Sequence, residues 1–291
     1  MKAMVFDERK NILAEGPTSS GPQNELITWV DIYGRKVRSR HLGSGATSEF
    51  ATNEDIGFAI PRVGGGLVVG TKSGPFLRGV DGSMDLLPNR EVADGCASPT
   101  DLRWNDAKVS PTGELFLGTM AYDYATNAAA FYQLDAEGKS IHRLFGDVTI
   151  SNGLDWSVNG ESMFYIDTPL RRVDIFDVVE KEIVNRRTFR TFPEEMGSPD
   201  GMCVDSQDNL WVAFWMGGAV RCFDGKSGEL LEEITCPAPK ITSCVFGGEN
   251  LDQLIITSAS EETDLDKYPA AGMVFQASPG VAGQRTTLFG A

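Results

Sequence analysis

The feature that most constrains the fold is a repeat of short β-strand patterns, each of which follows a polar, glycine-rich turn. Runs rich in β-branched and aromatic residues recur along the chain, among them ELITWVDI, GLVVGT, ELFLGTM, SMFYIDT, NLWVAFW and QLIITSA. The turns before these runs are marked, at intervals of roughly 41 to 49 residues, by Asn24, Gly66, Gly113, Gly160, Asn209 and Asn250. Six units of this length are typical of propeller blades.

The sequence therefore predicts an all-β chain folded as a six-bladed β-propeller. A β-sandwich also uses short strands and frequent turns, but the regular spacing favours the propeller. We expect residues 1–291 to form a single domain, because no Pro- or Ser-rich linker interrupts the chain and EETDLDKYPAAG reads as a polar surface loop. A propeller must protect its edge strands, so the N-terminal KAMVFD and the C-terminal TTLFG are expected to pair and close the ring.

Charge excludes several classes of partner. The chain has 41 Asp and Glu residues against 26 Lys and Arg, a formal net charge of −15, which repels nucleic acid and anionic membrane surfaces. No uninterrupted apolar run is long enough to cross a membrane, and the N-terminal residues lack the apolar segment of a secretion signal. We expect a cytoplasmic monomer or small homo-oligomer that binds neither nucleic acid nor membrane.

Cysteine and histidine usage narrows the chemistry. The five cysteines contain no CxxC pair and are interpreted as reduced residues of the strands and core: Cys96, Cys203, Cys222, Cys236 and Cys244. The two histidines, His41 and His142, have neither metal-binding nor catalytic spacing, which argues against a Ser-His-Asp hydrolase and a histidine-rich zinc site. Any hydrolysis must therefore use carboxylates and a metal ion.

Polar residues recur at one phase of the repeat, about eight or nine residues before each turn marker. This phase is the start of the inner strand, which lines a propeller's channel, and it is occupied by Glu15, Phe58, Asn105, Asn152, Asp200 and Thr242. Two carboxylates and two amides should then converge, and a divalent cation would neutralise the carboxylates. The alternative is that Asn152-Gly153 and Asp200-Gly201 are ordinary turn dipeptides.

Five segments, spread over nearly the whole chain, resemble the SMP-30/gluconolactonase family, including its bacterial sugar lactonases. In chain order they are AEGP, RWNDAKVSPTGELFLGTM, SNGLDWSVNGESMFYIDT, SPDGMCVDSQDNLWVAFWMGGAV and ITSCVFGGENLDQLIITSA. The resemblance implies a six-bladed propeller that hydrolyses small sugar lactones to aldonic acids in carbohydrate metabolism. The implied cofactor is one divalent ion; oxygen donors favour Ca²⁺, Mg²⁺ or Mn²⁺, and Zn²⁺ and Fe²⁺ are also compatible.

By motif position, the resemblance implies that Glu15, Asn152 and Asp200 hold the metal, and that Arg103 and Asn105 bind the substrate. The general base is either Asp200 or a metal-activated water that Asp200 steers. Asp106 matches the same motif as Arg103 and Asn105, although a structural role beside a turn explains it equally well.

The sequence departs from the family at one position and leaves two other functions open. Where animal members carry a substrate-contacting glutamate, this chain has Tyr122, which we expect to set the preferred lactone. Trp215, next to a glycine-rich turn, is a candidate for the pocket rim, as Trp156 is for stacking on a sugar, whereas Trp211 is expected in the core. The alternative functions are a calcium-binding regulatory protein without turnover and a propeller that serves only as an interaction platform.

Overall fold

The structure, a computed structural model, describes residues 1–95 and 101–290; Cys96 lies outside these residues. The chain forms six four-stranded antiparallel sheets. The innermost strand of each sheet contacts the innermost strand of the next one around a closed ring. This arrangement is a six-bladed β-propeller, as the repeat predicted, and it excludes the sandwich.

The strands follow one another around the ring in chain order, except that the first strand belongs to the last blade. The first three blades and this N-terminal strand contain β1 (Met4–Asp7), β2 (Ala14–Ser20), β3 (Leu26–Asp31), β4 (Lys36–His41), β5 (Thr47–Ala51), β6 (Ile56–Pro61), β7 (Leu67–Thr71), β8 (Gly74–Arg78), β9 (Met84–Leu86), β10 (Leu102–Val109), β11 (Leu115–Ala121), β12 (Ala129–Leu134) and β13 (Ile141–Val148). A short helix, α1 (Arg90–Asp94), connects the second blade to the third.

The remaining strands belong to blades four to six. They are β14 (Ser151–Trp156), β15 (Ser162–Asp167), β16 (Arg172–Val179), β17 (Glu182–Thr191), β18 (Ser198–Val204), β19 (Leu210–Trp215), β20 (Ala219–Phe223), β21 (Leu230–Thr235), β22 (Ile241–Gly247), β23 (Gln253–Ser258) and β24 (Val274–Ala277). Two single 3₁₀ turns, Thr168–Leu170 and Glu194–Met196, lie between strands of this half. All six turn markers lie between the first and second strands of their blades.

The hydrophobic core is divided among the junctions between neighbouring blades. Each junction holds one cluster of buried apolar side chains. At the junction of blades two and three, Trp104 packs edge-on against Tyr132 with ring centroids 5.4 Å apart, and Phe58 belongs to the same cluster. Phe58 was predicted to line the channel, and this prediction is wrong because its ring is buried between the blades instead.

The ring is closed by the N-terminal strand. β1 pairs with β24 as the outermost strand of the sixth blade, with Met4 opposite Gln276 and Val5 opposite Phe275. The prediction that this strand closes the ring is confirmed, but its expected partner TTLFG is wrong. Phe289 of that segment instead forms a parallel bridge with Arg62 of the second blade and is buried in the junction of blades two and three.

The C-terminal segment 283–290 crosses one face of the propeller. Its contacts reach several blades in turn: Gly283 pairs with Asp205, Gln284 donates to the carbonyl oxygens of Trp156 and Val204, Thr286 bonds the Ser19 hydroxyl, and Phe289 bridges to Arg62. Two small cavities of about 30 and 50 Å³ lie beneath it, lined in part by Lys108 and Thr286. Lys108 forms an ion pair with Asp155 across 2.6 Å at this end of the channel.

The four described cysteines, Cys203, Cys222, Cys236 and Cys244, are free thiols. Of these, Cys203 and Cys244 approach each other most closely, with their sulfur atoms 3.6 Å apart in the junction of blades five and six. Within the described part of the chain, no helix has the length and apolar character needed to span a membrane.

Candidate metal centre and substrate pocket

Four polar residues enter the channel from bulges in the inner strands of their blades. Pairing with the second strand shifts register beside Glu15 in β2, beside Asn105 in β10, beside Asn152 in β14 and beside Asp200 in β18. A bulge bends its strand and redirects a side chain that would otherwise follow the pleat. The dipeptides Asn152-Gly153 and Asp200-Gly201 therefore lie inside strands, which excludes the interpretation of both as turns.

The glycines after two of these residues let neighbouring inner strands approach closely. A Cβ atom on Gly153 would lie 2.6 Å from the carbonyl oxygen of Asp200, and one on Gly201 would lie 2.1 Å from the Ser243 hydroxyl oxygen. Both distances are far inside van der Waals contact, so no other residue fits without displacing backbone. The NG and DG pairs are thus explained by convergence of the strands on the axis.

The four residues line a single open cavity of about 610 Å³. Glu15, Asn105, Asn152 and Asp200 are all buried at its inner end. A volume of this size is typical of small-molecule sites. Four residues that are far apart in sequence, and that the repeat phase selected, are brought together on its wall.

The oxygen atoms at the inner end fit a hard divalent cation. Asn152 Oδ1 and Asp200 Oδ1 are buried and have no hydrogen-bond partner among the described residues. Asn152 Nδ2 donates to the Thr168 hydroxyl at 3.0 Å, which fixes the amide and leaves its oxygen free. Buried polar atoms without partners are rare because desolvation is expensive, and an all-oxygen donor set suits Ca²⁺, Mg²⁺ or Mn²⁺. Glu15, Asn152 and Asp200 therefore fit the metal that the family implies.

Only part of this donor set is acidic. Across residues 1–95 and 101–290, no group of three or more His, Cys, Asp and Glu residues is arranged to hold a metal ion. The channel combines two carboxylates, Glu15 and Asp200, with amides, so amide oxygens would have to complete the coordination. This composition matches the ligand chemistry of a hard cation.

Burial and mutual repulsion disfavour the charged forms of these carboxylates. Burial raises the pKa of Glu15 well above its ordinary value, and the charges of Asp200 and Asp106 raise it further, against the opposing effect of Arg103. Burial likewise raises the pKa of Asp200, and the Asp106 charge adds to this, against the opposing effects of the neighbouring Asn152 amide and Arg103. The pKa of Asp106 is raised to about 6, chiefly by burial. Three acidic groups thus share a region where a cation would relieve their repulsion.

Arg103 and Asn105 form a fixed pair on the wall of the cavity. Arg103 Nη1 donates to Asn105 Oδ1 at 2.6 Å and to the carbonyl oxygen of Trp104 at 3.2 Å, while Asn105 Nδ2 donates to the Ser151 carbonyl oxygen at 2.7 Å. Arg103 Nε is buried without a partner among the described residues. Asn105 therefore orients the guanidinium group, whose remaining N–H groups can bind a ligand.

Tyr122 lies outside the cavity lining. Its hydroxyl donates to Asp55 Oδ2 at 2.9 Å, and its ring lies 4.9 Å from the Lys72 ammonium group. Tyr124, two residues further on, contributes to the lining together with Tyr33. Tyr124 adopts a left-handed backbone conformation with a φ of 58° in the turn after β11. The role of Tyr122 in lactone preference stays a prediction.

The cavity has further lining residues that the sequence reasoning missed or named only as candidates. Trp215, the predicted rim residue, lines it, whereas Trp156 is buried between blades three and four and Trp211 between blades five and six. The segment predicted as a surface loop contributes Glu261 and Glu262.

A second set of lining residues comes from a position two residues before the channel residue in five of the inner-strand segments. These residues are Leu13, Arg103, Ile150, Ser198 and Lys240. Residues i and i−2 share a face of a strand, so the period of two was the signal that could have found Ser198 and Lys240.

The fold and this site define the class: a six-bladed propeller with a buried oxygen-donor centre beneath a small-molecule cavity. The family described as SMP-30/Gluconolactonase/LRE-like region matches residues 13–260. The chain is 36% identical to regucalcin of Danio rerio over 285 residues, which covers 95% of this chain and 94% of the relative. The protein belongs to the SMP-30/gluconolactonase family.

Two solved structures share the whole fold. A protein described as a calcium-binding protein, regucalcin, from Agrobacterium tumefaciens superposes with a TM-score of 0.90 at 26% identity, covering 99% of this chain and 97% of its own. A luciferin-regenerating enzyme superposes with a TM-score of 0.88 at 28% identity, covering 98% of this chain and 99% of its own. Both likenesses extend over all six blades.

Proposed function

We propose that the protein is a metal-dependent hydrolase that opens small sugar lactones to aldonic acids. The observation that carries the proposal is the pair of buried oxygens without partners, on Asn152 and Asp200, at the inner end of a 610 Å³ cavity beside Arg103. Membership of a family whose description includes gluconolactonase supports it.

Hydrolysis of a lactone needs a water activated at the carbonyl carbon and donors for the oxyanion that forms. A divalent cation held by Glu15, Asn152 and Asp200 would supply Lewis-acid polarisation and lower the pKa of a water. The Asp200 carboxylate accepts a proton from the attacking water or orients it. The water oxygen bonds to the carbonyl carbon, the bond from that carbon to the ring oxygen breaks, and the ring oxygen leaves as a hydroxyl with the proton that the water has lost.

The neighbouring side chains bind the polar substrate. Arg103 offers N–H donors to the oxyanion, to the product carboxylate or to sugar hydroxyls. Its guanidinium group is held in place by Asn105. The cavity wall is both polar and aromatic, since Trp215 and Tyr33 add aromatic surface on which a sugar face can stack. The cavity therefore suits a small molecule with many hydroxyl groups.

A panel of aldonolactones tests the proposal directly. Protein loaded in turn with Ca²⁺, Mg²⁺, Mn²⁺, Zn²⁺ and Fe²⁺ is assayed for acid release with a pH indicator. Asp200→Asn should lower kcat by at least about 100-fold and reduce bound metal, because it removes a ligand charge and any base role together. Arg103→Ala should keep the metal and lower kcat/KM.

The matched control is Asp85→Asn, which removes one carboxylate from exposed β9, far from the cavity. It should leave turnover and metal content unchanged. Absence of turnover for every lactone and metal would contradict the proposal, as would full activity of Asp200→Asn.

The second candidate function is binding of a divalent cation, such as calcium, without turnover. It is favoured by the regucalcin relatives, one of which is described as a calcium-binding protein. Under this alternative, metal binding would depend on Glu15 and Asp200, and no lactone would be hydrolysed. The same assay therefore separates the two candidates.

A further inference from the structure

Two buried cationic side chains line the cavity without carboxylate partners. Arg103 is 3% exposed and Lys240 is 7% exposed. Neither forms an ion pair with any carboxylate in the described part of the chain: Arg103 donates to an amide and a backbone carbonyl, and the Lys240 ammonium donates to the backbone carbonyl of Glu261. Burying an unpaired charge is expensive. Four carboxylates also line the cavity, but Glu15 and Asp200 lie at the metal centre and neither Glu261 nor Glu262 forms an ion pair with Arg103 or Lys240, so both cations remain available to an anionic ligand.

The placement of the two cations indicates how that ligand would lie. Arg103 precedes the channel residue Asn105 by two positions, and Lys240 precedes Thr242 by two positions, so both occupy the same level of the ring. Arg103 belongs to blade three and Lys240 lies at the start of blade six, and in a ring of six these blades are opposite each other. A ligand lying across the channel would therefore have one cation at each end.

The surroundings of Lys240 hold its charge at the cavity wall. Its ammonium nitrogen lies 4.7 Å from the centroid of the Trp215 ring, and its single described hydrogen bond goes to Glu261. An ammonium group has three donors, so donors remain for a ligand. The nearby carboxylates Glu261 and Glu262 also line the cavity and would repel a doubly charged phosphate more strongly than a singly charged carboxylate.

We infer that Lys240 is an anion-binding residue of this cavity and that the preferred substrates are lactones that keep a free carboxylate, the monolactones of aldaric acids. The inference rests on the proposed function and specifies its substrate class. Arg103 binds the reacting end of the substrate, and Lys240 binds the carboxylate at the far end.

The test compares two γ-lactones that differ only at the far end of the sugar chain. The lactone of gluconic acid ends in a hydroxymethyl group, and that of glucaric acid ends in a carboxylate. Metal-loaded wild-type protein should show a kcat/KM at least about tenfold higher for the glucaric lactone. Lys240→Met should lower kcat/KM for the glucaric lactone by about 10- to 100-fold, mainly through KM, because a hydrogen bond to a charged group is lost. The gluconic lactone should change by less than about threefold.

Two further variants separate recognition from structure. Lys240→Arg retains the charge and should preserve most of the preference. Lys267→Met is the matched control, because Lys267 also lies over an aromatic ring, 5.0 Å from the centroid of Tyr268, but is exposed and outside the cavity lining. It should leave both lactones unaffected. An equal loss for both lactones in Lys240→Met would overturn the inference and assign Lys240 to anchoring the loop at Glu261. Equal kcat/KM values in wild-type protein would overturn it as well.

A binding measurement keeps this inference separate from the proposed function. Calorimetry with glucarate and gluconate on the same metal-loaded protein requires no turnover. Tighter binding of glucarate that disappears in Lys240→Met supports the anion site even if no lactone is hydrolysed. Equal affinities overturn the anion site, and they do so whether or not the protein proves to be a lactonase.

Discussion

Asp106 should destabilise the metal-free protein at neutral pH, so Asp106→Asn should make that form more stable. Burial raises the pKa of Asp106 from an ordinary value of 3.8 to about 6. At about 1.4 kcal/mol per pKa unit, the charged form costs the folded state about 3 kcal/mol. Asparagine retains the oxygen that accepts the Ala107 N–H at 2.7 Å, so the substitution removes the charge and keeps that hydrogen bond.

The pH dependence follows from the direction of the shift. A carboxyl group whose pKa is higher in the folded state binds more protons there than in the unfolded state between pH 3.8 and 6, so the free energy of unfolding falls as pH rises through this window. The stabilisation by Asp106→Asn should therefore be about 3 kcal/mol at pH 7 and about half as large at pH 5.

Urea denaturation of the chelated protein at both pH values measures this difference, with exposed Asp85→Asn as the control for removal of one negative charge. A destabilised Asp106→Asn variant would refute the reasoning. A gain of equal size at both pH values would also refute it, since it would show that the Asp106 charge is not the cause. Saturation with a divalent ion should shrink the gain, because the cation offsets the repulsion among the three carboxylates.

Three further predictions concern packing, metal and specificity. Gly153→Ala should lower the free energy of unfolding by about 1–3 kcal/mol in urea denaturation, because its Cβ would meet the Asp200 carbonyl oxygen, whereas Gly43→Ala, whose Cβ meets nothing closer than 3.5 Å, should not. Chelation should abolish lactonase activity and lower the Tm measured by calorimetry, and a divalent ion at 100 times its Kd should restore about 2.7 kcal/mol of stability; an unchanged Tm would contradict a site that exists only in the folded state. Tyr124→Glu should reorder the kcat/KM ranking of a lactone panel because Tyr124 lines the cavity, and Tyr122→Glu in the same panel tests the role predicted for Tyr122; an unchanged ranking in both variants would remove both tyrosines from substrate preference.

The channel residues could be found from sequence because a propeller repeats one local pattern. The distance from a turn to the start of the preceding strand is fixed by strand length, so counting back from Gly113 or Gly160 reaches Asn105 and Asn152 without knowledge of the tertiary structure. The same count failed at Phe58, and Thr242 is also missing from the cavity lining because its buried hydroxyl is hydrogen-bonded to the Ala14 carbonyl oxygen and to the Thr257 hydroxyl. In blade two the register shift lies between Ile56 and Phe58, so Phe58 pairs directly with Gly70 instead of lying within the bulge, and its ring packs between the blades.

Features that depend on long-range pairing or loop geometry could not be found in this way. The N-terminal strand pairs with β24, the third strand of the sixth blade, whereas TTLFG places Phe289 in an interblade cluster. Tyr124 lines the cavity from a turn in which its own backbone is left-handed. The alternation of side chains along a strand does not extend into such a turn. Lys240 precedes Thr242 by two residues, as Arg103 precedes Asn105, so the period of two along a strand is sufficient to predict it.

The C-terminal segment covers one face of the propeller, so within the described part of the chain the cavity opens on the other face. With that face closed above the Lys108–Asp155 ion pair, a molecule reaching the inner end must come through the open side and leave by the same route. Entry of substrate and departure of product are then mutually exclusive events. Under the proposed lactonase function, the acid formed by ring opening should compete with substrate for the same cavity, and turnover should slow as this product accumulates.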